Sequence, residues 1–165
     1  MKKSLLLHIC CAPCAACVVE ALVEKFNITF FWYNPNIAPD KEYQARLESA
    51  KKYTAEFSSN FVELHENWEA SQKQCDYCYS ARIKKTINYT VANSFDFFST
   101  TLLAGLYQNH SYIKNACENP KFYYIDGRPN YYNGKNGLKL KGYHVQKYCG
   151  CMPSKLEAAR EKGKK

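Results

Sequence analysis

The run Leu5-Leu6-Leu7-His8-Ile9 is apolar at every position but one and stops at two adjacent cysteines, Cys10 and Cys11. A strand with one wet face alternates polar and apolar residues. An unbroken apolar run this short fits a strand buried on both faces, as the central strands of parallel sheets are. The chain that follows supplies the crossovers such a sheet needs. Val18, Val19, Leu22, Val23 and Phe26 recur at helical spacing, and the β-branched and aromatic stretch 28–33 predicts a second strand, closed by the turn-like Asn34-Pro35-Asn36. Asp40 is placed to cap a helix with the stripe Tyr43, Leu47, Ala50, Tyr53 and Phe57, and a third strand is expected over 61–64. The second half repeats the pattern: a helix over about 79–91, a strand over 95–99, a helix over 111–117 and a strand over 122–125. The last forty residues carry Gly and Lys with weak periodicity, and no element is assigned there.

This alternation predicts one α/β domain, a Rossmann-like, mostly parallel sheet flanked by helices with right-handed crossovers. It is expected to span residues 1–154, with a basic, disordered tail over 155–165. In such folds the loops beyond the strands' carboxyl ends carry the site. Cys10-Cys11, Asn34-Pro35-Asn36, Thr100-Thr101 and Asp126 all fall in those loops.

Eight of the nine cysteines form three tight groups: 10, 11, 14 and 17; 75 and 78; 149 and 151. Such clustering suits ligands and redox pairs better than long-range staples, and Cys117, standing alone, reads as a small core residue. Two Cys-x-x-Cys pairs are compatible with structural zinc. Adjacent ligands at 10 and 11 fit a cuboidal iron–sulfur cluster better, because different iron corners can each take one. Cys149-Gly150-Cys151 can close only a very small disulfide ring, a reducible kind suited to electron relay; two further ligands or two free thiols are equally compatible with the spacing. Asp126 is a candidate proton donor or extra metal ligand, or else a helix cap or partner of Arg128.

The net charge of +8 favours an anionic partner, and tyrosine, at 14 residues, adds stacking surfaces of the kind used on single-stranded RNA. Met1-Lys2-Lys3 and the leucines behind it resemble the start of a secretion signal. His8, the cysteine doublet and Pro13 interrupt it, so a cytoplasmic protein with no membrane span is expected.

The run Leu7-His8-Ile9-Cys10-Cys11-Ala12-Pro13-Cys14 resembles the opening signature of the QueH epoxyqueuosine reductases. The likeness continues through Tyr33-Asn34-Pro35-Asn36-Ile37, Glu42-Tyr43 with Arg46-Leu47, and Cys75-x-x-Cys78-Tyr79 with Arg82-Ile83 and Thr86. It runs on through Phe98 to Leu102, Tyr107-Gln108-x-His110 and Asp126-x-Arg128-Pro129, and closes at Gln146-Lys147-Tyr148-Cys149-Gly150-Cys151. The resemblance implies a PP-loop-related fold and reduction of epoxyqueuosine to queuosine in the anticodon loop of tRNA. It implies a 4Fe–4S cluster on Cys10, Cys11, Cys75 and Cys78, a redox-active disulfide of Cys149 and Cys151, and an electron donor that the sequence does not name. A Gly- and Ser-rich nucleotide loop after the first strand is missing, which argues against ATP use.

The sequence departs from the family pattern at Cys17 and Cys117, at His144-Val145 where Tyr-Arg is usual, at Gly127 where an aromatic is common, and in a short segment around 65–75. Loss of that arginine would weaken a phosphate contact. Tyr131, Tyr132, Tyr143 and Tyr148 with Lys135, Lys139, Lys141 and Lys147, and Arg82, Lys84 and Lys85, could meet tRNA or form a solvated basic face. Two other readings use the same thiols: a zinc-stabilised RNA-binding module without turnover, and a thiol–disulfide oxidoreductase without RNA.

Overall fold

The structure, a computed structural model, describes residues 1–66, 68 and 73–164; part of the short segment around 65–75 therefore lies outside the described residues. Four strands form one parallel sheet in the order β3-β2-β1-β4: β1 Lys3–His8, β2 Phe26–Trp32, β3 Asn60–Glu63 and β4 Phe97–Thr100. The apolar run is indeed central. Leu6 faces Thr29 on one side and Phe98 on the other, and Leu5, Leu6 and Leu7 are fully buried. Their side chains alternate between two cores. Leu5, Leu7 and Ile9 join Ile28, Phe30 and Trp32 on one face, while Leu6 joins Phe31, Ile83 and Phe98 on the other. Each such aliphatic side chain contributes about 1.5–3 kcal/mol by leaving water.

Helices α1 (Ala12–Ala15), α2 (Val19–Val23) and α3 (Asp40–Ala55) follow on the first half of the chain, α4 (Cys75–Ala92) and α5 (His110–Ala116) on the second. Tyr43, Leu47, Ala50 and Tyr53 are the buried stripe of α3, as their spacing predicts. Asp40 is the first helical residue and not its cap. Phe26 opens β2 and does not continue the preceding helix.

Three further differences have physical causes. The stretch 122–125 is not a sheet strand. It meets β4 through one bridge, Phe98 to Phe122, flanked by bonds from Phe98 N to Lys121 O and from Tyr123 N to Phe98 O. Its aromatic rings pack on Phe97 and Phe98 without extending the ladder. Second, α6 (Tyr131–Leu140) forms with only Leu138 buried, a stripe too thin to read from the sequence. Third, α7 (Met152–Lys162) occupies most of the tail expected to be disordered, with Pro at its start and Ser154 as its one buried residue. No described helix is long and apolar enough to cross a membrane.

Candidate thiol centre at the sheet's switch point

Strands β2 and β3 lie on one side of β1 and β4 on the other, so the chain reverses direction across the sheet between β1 and β4. Parallel α/β folds bind ligands in the crevice that opens there, beyond the strands' carboxyl ends. In this chain the crevice is lined by Cys10 and Cys11 after β1 and by Thr101 after β4. His8 ties the rim together. Its Nε2 donates to the Tyr33 carbonyl (3.1 Å), so Nδ1 accepts from the Thr100 hydroxyl (2.9 Å), which in turn accepts from Leu102 N (3.2 Å). Burial, and next the Arg82 guanidinium, push the His8 pKa down to about 4, which keeps the ring neutral.

The sulfurs of Cys10, Cys11 and Cys14 all lie within 4.8 Å of one another, and together they could hold a metal ion. Local geometry explains the convergence. Cys11 caps α1, where its sulfur accepts from Cys14 N at 3.3 Å, and one helical turn then brings the Cys14 side chain back over it. Cys10 is drawn to the opposite wall: its amide donates to Thr101 Oγ1 (3.0 Å), and the Thr101 hydroxyl lies 3.3 Å from its sulfur. Hydrogen bonds from the Cys11 and Cys14 thiols hold the Cys10 pKa well below its ordinary value; burial and the bond to Cys10 raise that of Cys11, and the bonds to Cys10 and Cys11, with burial, raise that of Cys14. Three converging sulfurs, one of them made more acidic by the other two, suit a soft cation.

Cys75 and Cys78 are outside that trio. They open α4, and Cys75 packs with Cys10 against the second core cluster. A hydrogen-bonded chain joins Cys78 to the doublet. The Arg82 Nη2 donates to Cys78 Sγ (3.1 Å), Nη1 to Asn34 Oδ1 (3.4 Å), and Asn34 Nδ2 to the carbonyl of Ile9 (2.9 Å). Sequence reading placed Arg82 among candidate tRNA contacts, yet it is 2% exposed.

Cys149 and Cys151 are free thiols, Cys149 exposed and Cys151 half-buried. Their loop is fastened from α3. Arg46 Nη1 and Nη2 donate to the carbonyls of Cys149 (2.8 Å) and Tyr148 (2.9 Å), and its Nε pairs with Glu42 (2.7 Å). Ala38 N donates to Gly150 O (2.9 Å), and Tyr148 Oη to Ala38 O (2.5 Å). Gly150 adopts φ +156°, and a Cβ there would stand 2.8 Å from Asn36 Nδ2, so the small residue is required. From the same loop Gln146 reaches across, its Nε2 2.9 Å from Cys11 Sγ. Tyr143, bonded to Glu56, is buried, so it serves packing and not base stacking.

Asp126 sits elsewhere in its bonding. Arg128 donates to both carboxylate oxygens through Nε and Nη2 and to Oδ1 through its amide. The Arg128 hydrogen bonds keep Asp126 below the usual carboxylate range. It is thus an anion with a fixed partner, a poor proton donor. Pairing with Arg128 is one of the alternatives that the Asp-x-Arg spacing offers in the sequence.

Arg46 and Glu42 carry a stability prediction. Burial alone would raise the Glu42 carboxyl, but hydrogen bonds from Arg46 and His144 lower it below its ordinary value of 4.5. A carboxyl whose folded pKa lies below its unfolded one stabilises the fold fully above the unfolded value and loses that contribution as pH falls below it. Urea midpoints are expected to fall below pH 4.5, and Glu42→Gln to flatten that limb. Arg46→Met, which strands a half-buried carboxylate and frees the Cys149 loop, is expected to cost about 3 kcal/mol at neutral pH.

The family model described as epoxyqueuosine reductase QueH matches residues 5–157. The chain belongs to the QueH family. Relatives carrying that description include the protein of Dehalococcoides mccartyi, 32% identical over 95% of both chains, and that of Thermotoga maritima, 31% identical over 96% of this chain and 93% of its own. The QueH protein of Acinetobacter baylyi is 30% identical over 94% of this chain and 82% of its own. Among solved structures, the U34-tRNA thiolase NcsA of Methanococcus maripaludis, described with its [4Fe-4S] cluster, superposes with a TM-score of 0.58 at 14% identity. The match covers 98% of this QueH chain and 65% of the thiolase, and it shows a shared fold.

Proposed function

We propose that this QueH-family chain reduces epoxyqueuosine to queuosine in the anticodon loop of tRNA, with a 4Fe–4S cluster and a dithiol at the β1–β4 switch point. The observation that carries the reading is the convergence of thiols at that crevice in a chain matched to the QueH model almost end to end. The donor set fits the cluster chemically. The donors are all sulfur, buried or half-buried, and they receive N–H and O–H bonds from Gln146, Arg82 and Thr101. Cys10, Cys11, Cys75 and Cys78 would hold the cluster. When bound it would pass electrons singly to the substrate.

Opening the epoxide to the alkene consumes two electrons and two protons and releases one water. Oxidation of the Cys149–Cys151 dithiol to a disulfide releases two electrons and two protons, so the balance closes. An external reductant, still unidentified, must then restore the dithiol. Cys149 is exposed, so a reductant could reach it from solvent. Arg46 and Gly150 hold its loop in place, and Asp126 holds Arg128 in an ion pair. Phosphate contacts come from the surface lysines, consistent with the net charge of +8. A chain this rich in ligand and redox thiols suits the reducing cytoplasm.

Metal analysis tests the reading against its zinc alternative. Protein purified anaerobically is expected to be brown, with iron and acid-labile sulfide in similar amounts, and to bind tRNA less tightly as salt rises. A colourless protein holding zinc without sulfide would replace the reductase by a binding module.

A further inference from the structure

Arg82 is a cation buried on α4. Its side chain makes three donor contacts, Nε to the Cys78 carbonyl (3.3 Å), Nη2 to Cys78 Sγ and Nη1 to Asn34 Oδ1, and its guanidinium carbon stands 5.9 Å from the centre of the Tyr79 ring. Among the described residues no carboxylate pairs with it. A guanidinium taken out of water is tolerated only beside a compensating negative charge. Within its electrostatic reach are the thiols of Cys78, Cys149 and Cys10 and the Tyr79 hydroxyl. Thr101 and Gln146 add to the pattern, each directing a hydrogen toward a sulfur of the doublet, at 3.3 Å from Cys10 and 2.9 Å from Cys11. Among the described residues the buried Gln146 Oε1 has no partner, so there the amide is oriented from its sulfur side.

We infer that Arg82 is the fixed counter-cation of the thiolate centre and, with Thr101 and Gln146, raises its reduction potential. This rests on the iron–sulfur reading proposed above. Each electron that the centre accepts adds one negative charge in a poorly solvated place. A nearby positive charge and hydrogen bonds to the ligand sulfurs favour that reduced state over the oxidised one. Without them a cluster held by four thiolates would be harder to reduce, and a donor of given strength would load it more slowly. A purely structural Arg82 would pin Cys78 and Asn34 but leave the potential where it is.

The test is a mediator-equilibrated titration of the anaerobically purified protein, followed by electron paramagnetic resonance, with iron and sulfide measured on the same samples. Arg82→Gln, which keeps an N–H donor and removes the charge, is expected to shift the midpoint potential to more negative values, whereas Arg82→Lys stays near wild type. Thr101→Val, of equal shape, is expected to give a smaller shift of the same sign. Unchanged midpoints in Arg82→Gln and Thr101→Val, at wild-type iron and sulfide content, would overturn the inference. Should Arg82→Gln load poorly, Thr101→Val and Gln146→Met decide it in the same way. Wild-type protein without iron or sulfide would remove the reading beneath the inference, an outcome told apart by the metal analysis alone.

Discussion

Serine at Cys10, Cys11 or Cys78 is expected to leave anaerobically purified protein with little iron or sulfide, and to lower turnover by a factor on the order of 10³ or more. A serine hydroxyl is a hard, weakly acidic donor and a poor substitute for a thiolate on iron. Iron content read beside turnover, with far-ultraviolet circular dichroism on the same samples, separates ligand loss from misfolding. Cys14→Ser discriminates between two ligand sets. Its sulfur lies in the converging trio, but the proposed set takes Cys75 and Cys78 with the doublet. The account therefore expects Cys14→Ser to keep most of its iron. If Cys14→Ser empties the site while Cys75→Ser and Cys78→Ser stay loaded, the ligands are the trio and the second pair does something else.

Cys149→Ser and Cys151→Ser are expected to behave oppositely: iron retained, turnover lowered on the order of 10³-fold. Either substitution alone prevents disulfide formation, so the double variant should be no worse than either single one, the non-additivity of residues that act as a unit. The structure adds a reason to expect normal loading. The loop is held by backbone carbonyls, through Arg46 and Ala38, and not by its own sulfurs. Single variants that still turn over within tenfold of wild type would confine Cys149 and Cys151 to a structural part.

The two variant series probe residues that differ in how plainly the sequence announces them. The central strand was legible because burial on both faces leaves an unbroken apolar run, and α3 because four of its buried residues repeat at helical spacing. The stretch 122–125 misled for a related reason: aromatic residues favour strands, but these rings are used to pack the end of the sheet while the backbone bonds β4 at one point. Helices α6 and α7 each bury a single residue, so periodicity had nothing to report. At the site, Cys10 and Cys11 stand out by being adjacent after a strand. Arg82 does not disclose its surroundings, because an arginine near lysines reads as surface and its partners are one sulfur, a carbonyl and an amide, which leave no charge pattern in the chain. Gln146 lies 135 positions from Cys11 and Arg46 103 from Cys149, and only folding shows what they touch.

The decisive measurement supplies the iron-loaded protein and a chemical reductant with tRNA that bears epoxyqueuosine, then weighs the nucleoside released by digestion. The account predicts a nucleoside lighter by one oxygen atom, appearing in proportion to loaded protein and lost in Cys149→Ser. A fully loaded protein that binds this tRNA and leaves the nucleoside's mass unchanged would contradict it.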